Sequence, residues 1–155
     1  MTERFREIRR ATLLVLYAAD VAGVSAEEAL DNAPEAMSQL FGVEVDDGEI
    51  ESFWDEITKR VNGVLDQQEE IDDEIRELSP NWRVERMAAV DRNLLRLGIF
   101  EILEEVAAPL IVINACVELA KEFGTATTPG FINGLLDQLC QNHDIPIEAS
   151  PSDSR

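Results

Sequence analysis

The 155-residue chain is 45% hydrophobic and sets 13 lysines and arginines against 32 acids, a formal charge of −19. It is long enough for one domain with a real core and has no run of eighteen apolar residues that could span a membrane. Two cysteines and one histidine offer neither a disulfide framework nor a metal-ligand pattern.

The opening stretch MTERFREIRR is charged and runs straight into a helical pattern, unlike a signal peptide, so a cytoplasmic protein is expected. The first helix is expected from about Arg4 to Val21, with Phe5, Ile8, Thr12, Val15, Leu16 and Ala19 on one face and Gly23 at its end. Ser25 and Glu28 have the spacing of a capping box for a second helix, which ends near Phe41-Gly42. The acidic loop EVDDGE follows. Ile50, Phe53, Trp54, Ile57, Val61, Val64 and Leu65 recur at the spacing of a third helix. Ile71, Ile75 and Leu78 mark a fourth, stopped by Ser79-Pro80.

A long fifth helix is expected from Trp82 to about Glu105. Met87, Val90, Leu94, Leu97, Ile99 and Ile102 make it apolar on much of its circumference, as in the centre of a bundle. Pro109 suits the first turn of a sixth helix and Gly124 its end; Thr128-Pro129 opens a seventh, to about Gln141. The tail PIEASPSDSR, residues 146–155, has a disordered composition. The fold class is therefore all-α: a single domain of about seven helices. The Ser79-Pro80 break is expected to divide it into two packed subdomains of three to four helices, residues 1–79 and 80–145.

Catalysis finds little support. There is no Gly-rich phosphate loop, nucleophile elbow or Cys/His metal spacing, so no enzyme, cofactor or metal is expected. Cys116 and Cys140 sit among apolar helical neighbours and read as small buried fillers. His143 reads as a charge partner for the end of the last helix. The run DQQEEIDDEIRE alternates with Ile71, Ile75 and Leu78 and reads as a solvated helix face.

A nucleic-acid surface is the alternative. Residues 1–10 hold four arginines and two acids, while the rest holds nine basic residues and thirty acids, so any phosphate contact must be local. At about 100° per residue, Arg6, Arg10 and Tyr17 share a stripe opposite the apolar face, with Arg9 on its border. Guanidiniums can fork onto phosphate and a tyrosine can stack an unpaired base. The same stripe also reads as an ordinary charged face, with Arg6 paired to Glu3 and Arg10 to Glu7 or a distant acid. Arg92 and Arg96 repeat the theme four residues apart, and Asp91 could accept hydrogen bonds from base amino groups; both arginines could equally balance nearby acids. Phe131, after a small-residue turn, is either a stacking platform or a hydrophobic anchor. Asn133-Gly134 would permit close helix approach or hydrogen bonding to a neighbouring turn.

Several segments are collinear with one known pattern. RRATLLVLYAAD, WRVERMAAVDRNLLRLGIFEI, PLIVINACVELAKEFG and FINGLLD resemble the NusB family of bacterial transcription antitermination factors. Close similarity covers about half the chain, and residues 24–80 match mainly in helical layout. The resemblance implies an all-helical bundle that binds the boxA element of ribosomal-operator leader RNA without catalysis. It would act jointly with the ribosomal protein NusE and, indirectly, with RNA polymerase and other Nus factors. The family's arginine-rich motif falls on Arg6, Arg9 and Arg10, its Leu-Tyr tyrosine on Tyr17, its acid on Asp91, the adjoining basic position on Arg92, and its aromatic before Asn-Gly on Phe131. Single-stranded RNA is then expected to cross the first helix, the Arg92–Arg96 region and Phe131. Glu3 and Glu7 interrupt the basic motif, and the turn TATTPG lacks the charges often found in relatives. The competing reading is a protein-interaction module on the same fold whose RNA role has lapsed.

Overall fold

The computed structural model describes residues 2–41 and 47–147, with side chains over 4–33 and 53–147. The tail from residue 148 and residues 44–46 of the acidic loop lie outside the described residues; Asp47, Gly48 and Glu49 open a helix instead. All regular structure among the described residues is helical. No helix among them is long and apolar enough to cross a membrane.

Helices α1 (Thr2–Ala22), α2 (Ala26–Phe41) and α3 (Asp47–Asp66) belong to one compact unit, Met1–Asp66. α1 packs on α2 and α3, and α2 on α3. Its inner face is the expected one: Ile8, Thr12, Val15, Leu16 and Ala19 are buried, and Phe5 is half-buried. Burial also extends to Arg9, Ala11 and Leu13, so the covered stripe is wider than alternation of polar and apolar residues suggests. Gly23 closes α1 at φ +68°, a left-handed conformation that costs glycine nothing, and the Val24 N–H donates to the Ala19 carbonyl at 3.2 Å. Ser25 Oγ accepts the Glu28 N–H at 3.2 Å, which satisfies one orphan donor at the start of α2.

The second unit, Gln67–Arg155, contains α4 (Gln68–Leu78), α5 (Ala89–Leu103), α6 (Pro109–Phe123) and α7 (Thr128–Asn142). The division thus falls after Asp66 and not at Ser79-Pro80. α4 packs against α5 and α7, so the proline break ends a helix inside the second unit. α5 is its centre: every residue from Asn93 to Ile102 is buried, and the helix packs on α4, α6 and α7. Gly98 permits this. A Cβ there would stand 2.8 Å from Leu136 Cδ1 and 3.3 Å from Cys116 Sγ, so α6 and α7 both press on bare backbone. Cys116 and Cys140 are buried fillers outside any disulfide, and burial, helped by Asp137, pushes the Cys140 thiol up from its ordinary pKa.

The fifth helix does not begin at Trp82. Residues 82–88 form a loop around a single 3-10 turn at Val84–Arg86, with Arg83, Met87 and Ala88 extended. Two forces override helical propensity there. Val84 and Met87 are buried as anchors, and the Arg92 Nη1 donates to the carbonyls of Met87 at 3.0 Å, Val84 at 3.3 Å and Glu85 at 3.4 Å. The Val84 carbonyl also accepts the Met87 N–H at 3.2 Å, so the loop's carbonyls find partners outside an α-helix.

Candidate nucleic-acid interface

In the first unit, α1 presents a continuous outer stripe at helical spacing: Arg6, Arg10, Leu14, Tyr17 and Val21. Arg6 is exposed, Arg10 and Leu14 are half-buried, Tyr17 is 38% exposed and Val21 is exposed. This stripe brings together the Arg6, Arg10 and Tyr17 of the sequence reading. The Glu7 carboxylate lies 3.9 Å from Arg10 Nη1, the outer limit of an ion pair and worth little in solvent. The Glu3 side chain lies outside the described residues, so its expected pairing with Arg6 does too.

Arg9 is not part of that stripe. It is only 5% exposed, and its guanidinium carbon lies 6.0 Å from the centre of the Phe5 ring. Arg4 and Arg60 approach the same ring, each at 5.9 Å. Arg60 is almost fully buried on α3 and donates to Glu56 Oε2 at 2.6 Å and to the Glu56 carbonyl at 3.2 Å. That bond holds the Glu56 carboxyl below its usual range, with burial acting against it. Two of the chain's arginines are therefore interior cations resting on an aromatic face. Arg9 holds the fold of the first unit and is too deeply covered to offer its guanidinium to a ligand.

In the second unit, Arg96 is likewise interior. At 5% exposure it donates from Nε to Asp72 Oδ1 at 2.8 Å and from Nη2 to Asp72 Oδ2 at 2.9 Å, a fork between α5 and α4. Asp72 is thus a buried member of an acid run otherwise facing solvent at Glu69, Glu70, Asp73 and Glu77. Arg92 is spent on the carbonyls of the 82–88 loop rather than aimed outward. Asp91 is half-buried and accepts the Thr128 hydroxyl at 3.1 Å, which ties the start of α5 to the start of α7. The same Thr128 Oγ1 accepts the Thr125 N–H at 3.0 Å. Gly124 makes room for this knot, since a Cβ there would fall 2.6 Å from Thr128 Oγ1. Asp91, Arg92 and Arg96 all act first on this chain, and Asp91 and Arg92 remain partly reachable.

Phe131 is half-buried in the first turn of α7. Its ring meets Trp82 edge-on, with centroids 6.4 Å apart and planes at 62°. Trp82 itself is 63% exposed. Sequence reasoning missed it by placing it in a helix; an indole two residues after a proline was the available signal of a loop. Asn133 and Gly134 are exposed, and a Cβ on Gly134 would meet nothing within 4 Å, so no helix approaches there. The close approach is at Gly98. His143 caps the end of α7 and its Nε2 lies 3.0 Å from Glu74 on α4, an ion-pairing position and not a catalytic one.

The profile of the NusB family matches residues 6–141. The chain is 36% identical over 135 residues to the transcription antitermination protein NusB of Sorangium cellulosum, covering 86% of this chain and 89% of that one. It is 38% identical over 142 residues to the transcription antitermination protein NusB of Geotalea daltonii, covering 88% and 94%. Its fold is similar to a crystal structure of the antitermination factors NusB and NusE in complex with double-stranded RNA, with a TM-score of 0.75 at 25% identity over 92% of this chain and 99% of that one. By sequence and by fold, the chain belongs to the NusB family.

Proposed function

We propose that this protein is a non-catalytic transcription antitermination factor that binds boxA-type single-stranded RNA of ribosomal-operator leaders together with ribosomal protein NusE. RNA polymerase and other Nus factors are its indirect partners, and the cytoplasm is its location. The observation that carries the reading is the outer stripe of α1. Arg6 and Arg10 offer guanidiniums and Tyr17 an accessible ring on one helical face, in a chain whose formal charge is −19. A relative of the same fold has been captured with both NusE and double-stranded RNA, which supports NusE as the partner and RNA in general as the ligand. In the second unit Phe131 is the aromatic candidate and Asp91 the candidate acceptor. Arg9 and Arg96 act by supporting the fold.

Binding of a boxA-like RNA oligonucleotide to the purified pair with NusE tests this. Arg6→Ala/Arg10→Ala should weaken binding at least tenfold, and log K should fall with log salt at a slope of about −3 if about four phosphates are neutralised. Indifference of the pair to the double substitution would remove the proposed surface. The burial of two of the predicted arginines favours one other reading, a protein-interaction module that binds NusE equally well with or without RNA.

A further inference from the structure

We propose that the cleft beside Trp82 is a subsite for one unpaired nucleotide of RNA, with the base stacked against the Trp82 indole and the neighbouring phosphates held by Arg83 and Arg86. The proposal rests on the RNA-binding reading above and extends it to residues that reading does not use.

An indole left 63% in solvent contributes little to the core, yet its position is closely specified. The loop that carries it is pinned by buried Val84 and Met87 and by the Arg92 clamp on three carbonyls. Its ring meets Phe131 with the two planes at 62°. It also lines a cleft of about 640 Å³ together with Arg76, Ser79, Arg83, Glu85 and Arg86. That volume suits a nucleotide-sized ligand.

The charge of the cleft is the second observation. Residues 76–92 carry four arginines against three acids, whereas the rest of the chain carries nine basic residues against 29 acids. Within the cleft, Arg76 is held by Asp73 at 2.8 Å and by Glu85 at 3.2 Å, so it offsets the one carboxylate that lines the space. Glu85 is held below its usual carboxyl range by backbone hydrogen bonding and by Arg76. Arg83 and Arg86 are exposed on either side of the buried Val84 anchor. A flat aromatic beside two accessible guanidiniums matches the two halves of a nucleotide: a π-face for any base and forked donors for phosphate. An acidic protein segment would satisfy the arginines but would leave the indole without a planar partner.

The test uses the full chain paired with NusE and a single-stranded boxA-like RNA oligonucleotide. Trp82→Ala should weaken RNA binding roughly 5- to 150-fold, the range of one base–aromatic stack, and Trp82→Phe should recover most of it. Arg83→Ala/Arg86→Ala should make the salt slope shallower by about 1.4. In a Trp54→Phe background, where Trp82 is the remaining tryptophan, its emission should be quenched as RNA is added. Because Trp82, Arg83 and Arg86 are exposed, unchanged helical circular dichroism is expected of their variants. If the wild-type pair binds RNA and responds to Arg6→Ala/Arg10→Ala while Trp82→Ala and Arg83→Ala/Arg86→Ala change nothing, this subsite is overturned and the RNA-binding reading stands. Weaker capture of NusE by Trp82→Ala without RNA, at unchanged RNA affinity, would overturn it in favour of a protein contact. Absence of RNA binding by the wild-type pair would overturn both.

Discussion

Arg96 and Asp72 lie 24 positions apart in sequence and meet inside the second unit through two parallel hydrogen bonds of 2.8 and 2.9 Å. Removing one partner strands the other as a buried charge. Arg96→Ala should therefore cost about 3 kcal/mol or more of stability in urea denaturation. Replacing both by apolar residues, as in Asp72→Leu/Arg96→Met, should recover much of that loss. Because Arg96 is covered, Arg96→Ala measured below its melting temperature should bind RNA with wild-type affinity. A loss of affinity without a loss of stability would return Arg96 to the binding surface.

The glycines make opposite predictions. Gly98→Ala forces a methyl to 2.8 Å from Leu136 in the packed centre of the second unit and should cost about 1–3 kcal/mol. Gly134→Ala adds a methyl in open space within α7 and should stabilise by about 0.5–1 kcal/mol. Thermal melts of the two variants should move in opposite directions. A destabilised Gly134→Ala would show that a neighbour does approach that turn.

Arg92 should be irreplaceable by lysine. All three carbonyls are met by one nitrogen, Nη1, which stands one atom farther along the side chain than a lysine ammonium would. Arg92→Lys should loosen the 82–88 loop while leaving α5 helical. Hydrogen exchange of the loop amides and the emission of Trp82 report this. Unchanged exchange would mean that Val84 and Met87 hold the loop by themselves.

Glu56 gives the first unit a modest acid sensitivity. Its carboxyl is held below the ordinary value of 4.5, chiefly by the Arg60 hydrogen bond. A depressed folded value means that the unfolded chain binds more protons in this range. The stabilisation is then complete above about pH 4.5 and is lost as pH falls through the lower folded value. The carboxylate is partly solvated, so the effect should stay below about 1 kcal/mol. Unfolding free energies of wild type and Glu56→Gln should converge as pH falls below the depressed folded value; a gap that persists there would assign the loss to packing.

The helices were largely legible because their signals are local. Gly23, the Ser25/Glu28 box, Ser79-Pro80, Pro109 and Gly124 each mark a boundary through the geometry of one or two residues. The start of α5 was not legible, since WRVERMAA holds good helix formers and what unwinds it is a guanidinium from beyond the segment. The burial of Arg9 and Arg96 was not legible for a related reason. A wheel shows which way a side chain points but not how much of the circumference is covered. A partial signal existed for the Arg96–Asp72 pair: Arg96 is flanked by Leu94, Leu95 and Leu97, and Asp72 lies three residues before Ile75 on an apolar stripe. A charge embedded in a hydrophobic row announces a hidden partner. The outer stripe of Arg6, Arg10 and Tyr17 was readable because solvent exposure there follows directly from helical phase.

The Arg92 clamp has a consequence for energetics of capture. Loops that fold around their target lose conformational entropy at the moment of contact, and affinity drops by that amount. Here the segment bearing Trp82 is braced from within before any visitor arrives, so the ordering cost has already been met during folding. A guanidinium spent on the loop's own carbonyls can in this way set the dissociation constant of its neighbours.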